Sequence, residues 1–158
     1  MEAMTRILGI DHGDRRIGAA LSDPGQAMAF PLEVYSPRGE LADAQHYREV
    51  VAENDVARIV VGLPVHTTGR EGDRARAARK FGEWLAQATG RPVVYFDERY
   101  TTVEAEHLMI DAGLKRKKRK SLRDQLAAQI MLQGYLDAGQ PDSAVDSQPL
   151  DDAGDHAP

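Results

Sequence analysis

Leu8-Gly9-Ile10-Asp11-His12-Gly13-Asp14-Arg15-Arg16-Ile17-Gly18-Ala19-Ala20-Leu21-Ser22-Asp23 is the stretch whose reading decides the fold. Two apolar runs, Ile7 to Ile10 and Ile17 to Leu21, flank a polar break, the pattern of two strands joined by a tight, glycine-bearing turn. Asp11 stands where the first buried run ends. A carboxylate there is costly unless it is solvated, paired or holding a cation; it also reads as a residue that simply opens a turn.

Working outward, Met28 to Tyr35 reads as a third strand, and Pro31 inside it predicts an edge position because proline cannot donate to a ladder. The first three strands then form an antiparallel meander. Leu41, Ala44, Tyr47, Val50 and Val51 recur at helical spacing over Glu40 to Glu53. Arg58 to Pro64 is a short, almost wholly apolar run, as in a strand covered on both faces. Following a helix, it should join its neighbour in parallel through a right-handed crossover.

Val65 to Gly72 reads as a loop, and Asp73 to Thr89 as a helix with Ala77, Ala78, Phe81, Trp84 and Leu85 inward and Gly90 as its C-terminal stop. Pro92 to Phe96 is another buried strand, closed by Asp97-Glu98-Arg99. Thr101 with Glu104 has capping-box spacing and opens a helix that Gly113 ends. Ser121 opens a last helix to about Ala138, with Leu122, Leu126, Ile130 and Leu136 as its apolar stripe. Three strands followed by alternating helices and strands predict an α/β fold, a mixed five-stranded sheet with helices on both faces.

The chain has 158 residues, about one domain, with 42% apolar and 28% charged residues, the composition of a soluble globular protein. No run approaches a membrane span, and the start lacks a basic segment followed by an apolar signal core. The expected location is therefore cytoplasmic. With no cysteine there is no disulfide, thiolate metal site or thiol nucleophile, so any metal must be held by carboxylates, histidine or water. His12, His46, His66, His107 and His156 show no metal-ligand spacing.

The net charge of -5 is concentrated at the end of the chain. Asp142, Asp146, Asp151, Asp152 and Asp155 lie in a segment without Lys or Arg, and without them the body is neutral. Residues 140–158 read as an acidic disordered tail behind a domain of residues 1–139. Inside the neutral body, Lys115-Arg116-Lys117-Lys118-Arg119-Lys120 form one basic block, which suits a polyanionic partner such as nucleic acid. Arg15, Arg16, Arg70 and Arg99 are further candidates for phosphate contacts, which position a backbone without reading sequence.

If the first, fourth and fifth strands are parallel, their C-terminal ends meet at one sheet edge, where open α/β sheets place their sites. Asp11 and either Asp97 or Glu98 would stand there, since adjacent strand residues point to opposite faces and only one of the two can face Asp11. Asp124 is the third candidate acid, although Ser121-x-x-Asp124 also reads as a capping box.

The run Gly9-x-Asp11-x-Gly13-x-x-Arg16-x-Gly18-x-Ala20-x-Ser22-Asp23, then Gly62-Leu63-Pro64, Asp97-Glu98-Arg99 with Thr101, and Asp124 with Ala127 and Ala128, resembles the YqgF/RuvX family. That family is described as Holliday junction resolvases and as the nuclease acting on the 5′ end of pre-16S rRNA, with a ribonuclease H-like fold. The likeness covers about residues 6 to 138. His12 and Val65-His66-Thr67-Thr68 depart from the usual pattern. Carried over, the family's catalytic and metal-holding acids fall on Asp11, Glu98 and Asp124.

The resemblance implies phosphodiester hydrolysis assisted by two Mg²⁺ or Mn²⁺ ions, Asp11 lying between them and Glu98 and Asp124 each holding one side. It implies an rRNA precursor or a four-way DNA junction as partner and, for symmetric junction cutting, a homodimer. Two other classes fit parts of the sequence. One is a catalytically weak nucleic-acid-binding factor of ribosome maturation. The other is an actin-like or sugar-kinase-type nucleotide-binding fold, which needs two such domains where 158 residues supply one.

Overall fold

The computed structural model describes residues 4–64, 68–98, 116–141 and 148–149. The five-stranded sheet contains β1 (Arg6–His12), β2 (Ile17–Ser22), β3 (Ala29–Tyr35), β4 (Val56–Leu63) and β6 (Val93–Asp97) in the order β3-β2-β1-β4-β6. β1 and β2 pair antiparallel, as do β2 and β3, whereas β1–β4 and β4–β6 are parallel. Proline at position 31 thus lies on an edge strand, beside a register shift between Ala19 and Ala20 of β2. The turn of the first hairpin closes by the Gly13 N–H donating to the Arg16 carbonyl at 3.0 Å.

Strand parity assigns the two faces. Leu8, Ile10, Ile59, Val61 and Leu63 belong to a core shared with Tyr47, Val50 and Val51 of α1 (Glu40–Glu53) and Ala78 and Leu85 of α2 (Asp73–Thr89). Ile7, Val60, Phe96 and Ala20 point the other way, under Ala128, Met131, Leu132 and Tyr135 of α3 (Arg116–Asp137). α3 lies close to the sheet because glycines make room: a Cβ on Gly9 would stand 2.8 Å from the Leu132 Cβ, and one on Gly18 would stand 3.7 Å from the Ala128 Cβ.

Both α1 and α2 span the residues that periodicity predicts, and α2 ends on Gly90 in the left-handed region. Leu41, placed on the apolar stripe of α1, is instead 89% exposed, and Ala77 of α2 is exposed. The loop expected over residues 65–72 contains a short strand, β5 (Arg70–Glu71), paired in parallel with β7 (Gln148–Pro149) in a separate two-stranded sheet.

The last helix differs from its predicted form. It already runs through Arg116–Lys120, so Ser121 is an interior residue and not a cap, and Asp124 lies beyond the first turn. Lys and Arg are good helix formers, so a basic run need not be a loop. The buried stripe also shifts, from Leu126 and Ile130, which are only partly buried, to Ala128, Met131, Leu132 and Tyr135. Small residues on both sides let that stripe approach the sheet. The predicted Thr101 to Gly113 helix, with its capping box, lies outside the described residues.

Candidate active site

The parallel strands β1, β4 and β6 end at one edge, and their register sets the spacing of the acids. Ile10 is level with Val61, which is level with Tyr95, so Asp11, Gly62 and Phe96 form the next row. By parity all three face α3, and so does Glu98, two residues beyond Phe96. Asp97 takes the opposite parity and is 1% exposed. Of the two acids left open by the sequence pattern, Glu98 therefore shares the face of Asp11.

One strand separates Asp11 from Glu98, roughly 10 Å at the usual spacing of neighbouring strands. Glu98 crosses it over Gly62: a Cβ on that glycine would stand 2.9 Å from both the Glu98 Cγ and Cδ, and closer still to Oε1. The missing side chain at position 62 is the space that the Glu98 carboxyl occupies. There it comes within hydrogen-bonding reach of Asp11.

Burial pushes the Glu98 carboxyl well above the usual carboxylate range, and the Asp11 charge and the hydrogen bond to Asp11 push it the same way. The Arg74 guanidinium opposes this rise, and Asp97 adds to it. Arg74 was not anticipated from the sequence. It lies in the first turn of α2, a position whose only sequence signal is a cation directly after the glycine-bearing loop.

α3 approaches the same edge. Leu132 packs over Gly9, and one turn earlier Ala128 packs over Gly18, the β2 partner of Asp11. Asp124 stands one further turn toward the edge, on the helix face of Ala128 and Leu132. The same periodicity puts Arg116, Lys117 and Lys120 on the arc of Asp124, and Lys118 and Arg119 on the opposite arc.

Arg15 and Arg16 are exposed in the hairpin turn after β1. Arg70 is exposed on β5, in the small second sheet. Arg99 and Lys115 lie outside the described residues. His12 faces away from Asp11, stacking on Phe81 with ring centroids 4.7 Å apart. Burial lowers its basicity, against the opposing charges of Asp11 and Asp14.

Other parts of the recognised motif are structural. The Ser22 hydroxyl is buried, accepts from the Ile7 N–H at 2.8 Å and donates to the Asp23 carbonyl. The Asp23 carboxylate accepts from the Ala27 and Met28 N–H groups and closes the turn into β3.

A pair of half-buried carboxyls brought together at one sheet edge, with only oxygen donors, fits a hard divalent cation. Among the described residues no cluster of three or more His, Asp or Glu side chains forms a metal site, and none of the helices is long and apolar enough to cross a membrane.

Comparison with known proteins identifies the family. Proteins of Rhodopirellula baltica and Pelotomaculum thermopropionicum are 40% identical over 136 residues and 45% identical over 138. The first match covers 86% of this chain and 79% of that protein, the second 86% and 90%. Both carry the name "Putative pre-16S rRNA nuclease". Among solved structures, RuvC of Thermus thermophilus in complex with a Holliday junction substrate matches with a TM-score of 0.51 at 19% identity, over 86% of this chain and 97% of that one. This likeness bears on the fold, which is ribonuclease H-like. The RuvX family, described as Holliday junction resolvase, matches residues 5–138. With that match over most of its length and two relatives at 40% identity or more, the chain belongs to the RuvX family.

Proposed function

We propose that this chain is a divalent-cation-dependent nuclease that hydrolyses phosphodiester bonds in structured nucleic acid. The observation that carries the reading is the meeting of Asp11 and Glu98 over Gly62 at the C-terminal sheet edge. Asp11, Glu98 and Asp124 would hold Mg²⁺ or Mn²⁺. Such ions supply an activated water and charge stabilisation for the leaving oxygen. The protein's own part is to fix the three carboxylates on regular elements that meet at one sheet edge. The basic residues hold the flanking phosphates: Arg116, Lys117 and Lys120 beside Asp124, Arg15 and Arg16 at the hairpin turn, with Arg70, Arg99, Lys115, Lys118 and Arg119 adding to the same grip.

The names of the relatives favour the 5′ end of pre-16S rRNA as substrate, and the RuvC complex keeps a four-way DNA junction beside it. Residues 1–139 act as the nuclease domain and residues 140–158 as an acidic appendage, in a cytoplasmic protein. Symmetric junction cutting needs two copies, and Phe30, Leu32 and Val34, exposed in a row on edge strand β3, offer a surface for a second one.

The test is cleavage of a labelled four-way junction and of an RNA carrying the precursor 5′ end, with Mg²⁺ and with Mn²⁺, by wild type and Asp11→Asn. Metal-dependent cutting that Asp11→Asn abolishes is expected, and the substrate that is cut identifies the activity. Binding of both substrates without cutting would overturn the nuclease and leave a ribosome-maturation factor.

A further inference from the structure

The face of the sheet opposite the acids carries a cavity that the reaction does not use. It has a volume of about 560 Å³, within the range typical of ligand sites. Its walls are the rings of His12, Phe81 and Trp84, with Lys80 and Glu40 exposed at the rim. Phe81 and Trp84 lie at helical spacing on the inner side of α2, yet both keep part of their surface exposed here. They belong to an aromatic cluster anchored by the buried Tyr47, with centroids 6.0 and 6.4 Å from its ring.

We propose that this cavity takes one unpaired nucleobase of the nucleic-acid substrate, next to the cut. The inference rests on the nuclease reading and adds to it a single-stranded element of recognition. Three observations favour a base over other occupants. The first is continuity with the acid site: His12 in the cavity wall follows Asp11 directly, so a polynucleotide held at Asp11 reaches the cavity by turning around the end of β1.

The second is Arg74. Exposed in the first turn of α2, it precedes Ala77 and Phe81 of the cavity wall at helical spacing. A phosphodiester linkage entering the cavity from that end of the helix meets a cation.

The third is the lining itself. Flat aromatic faces stack any base, and Lys80 at the rim suits the adjoining phosphate. Asp43 Oδ1 already accepts from the Tyr35 hydroxyl at 2.6 Å and the Arg38 N–H at 2.9 Å. Glu40, exposed at the rim, offers an acceptor for an exocyclic amino group, which adenine, cytosine and guanine carry and uracil lacks.

Trp84 is the single tryptophan of the chain and reports directly on stacking. The full-length protein, in chelator so that nothing is cut, is titrated with a short single-stranded RNA while Trp84 fluorescence and RNA anisotropy are read together. Saturable quenching is expected, and an abasic site at one position of the RNA should remove the quench. Phe81→Leu, which keeps an apolar side chain on α2, should weaken binding of the intact RNA about tenfold and leave the abasic RNA unchanged.

Binding without quenching, quenching that survives an abasic site at every position, or no binding at low salt would each overturn the proposal. Cleavage assays on the same protein keep the two readings apart. Base-dependent quenching without any cleavage removes the nuclease and leaves the base site, and cleavage without base-dependent quenching does the reverse.

Discussion

Gly62→Ala separates the assembly of the site from the stability of the fold. The new Cβ would stand 2.9 Å from the Glu98 Cγ and Cδ, well inside the 3.4 Å at which ordinary contacts begin, and closer still to Oε1. The backbone at Gly62 has no positive φ and is not strained by a side chain. The obstructed atoms are the outer part of a flexible side chain, so relief comes from Glu98 swinging off Asp11 by about 1 Å or more. A misplacement of about 1 Å in a reacting constellation can cost roughly 100-fold in rate. Stability should hardly change, since alanine in place of glycine within a strand gains about 0.5–1 kcal/mol. The expected result is therefore a Tm within a few degrees of wild type and cleavage lowered about 100-fold. Gly9→Ala is the contrast, because its Cβ meets the Leu132 Cβ at 2.8 Å, an atom fixed to the α3 backbone, and should lower both Tm and activity. A folded Gly62→Ala protein that cuts within a few-fold of wild type would refute the role given to the space above Gly62.

Three more outcomes follow from the same structure. Glu98 is held above its ordinary value of 4.5, so the folded state keeps a proton that the unfolded chain loses, and metal-free stability falls as pH rises from that value through the folded pKa. Glu98→Gln removes this slope; in chelator its Tm should rise relative to wild type as pH climbs above 4.5 and converge with it below that value, and parallel curves would contradict the raised carboxyl. The buried Tyr47 hydroxyl has no hydrogen-bond partner among the described residues, so Tyr47→Phe should raise stability by about 1 kcal/mol in a denaturant titration. Lys117→Gln with Lys120→Gln should flatten the dependence of log K on log salt by about one unit for each phosphate no longer neutralised, more than Lys118→Gln with Arg119→Gln does. Equal changes for the two pairs would show that the helical arcs do not matter.

Most of the sheet was legible because its signals are local. Apolar runs, one proline and the C-terminal glycine of α2 mark strand order, edge and helix end without help from the rest of the chain. The last helix was misread at its start because Ser121-x-x-Asp124 satisfies a cap pattern, and nothing nearby forbids one more basic turn before it. The choice between Asp97 and Glu98 could not be read from β6 itself: Val93 to Phe96 is apolar on both faces, which hides its parity until register with β4 is known. Gly62 looked like the end of an apolar run, because the atom that needs its space lies 36 residues away. Phe81 and Trp84 looked like core for a related reason: helical spacing says which side of α2 they occupy, not that a cavity lies beside them.

The parity of β6 has a consequence for how the chain can change in length. One residue inserted between the strand and Glu98 would exchange the faces of the two acids, placing the residue meant for Asp11 in the apolar layer beneath α2. Two inserted residues would restore the face but carry the carboxyl about 7 Å past the row of Asp11 and Gly62. Insertions and deletions are therefore closed to the last residues of β1 and β6, where the number of residues is as much a part of the site as their identity.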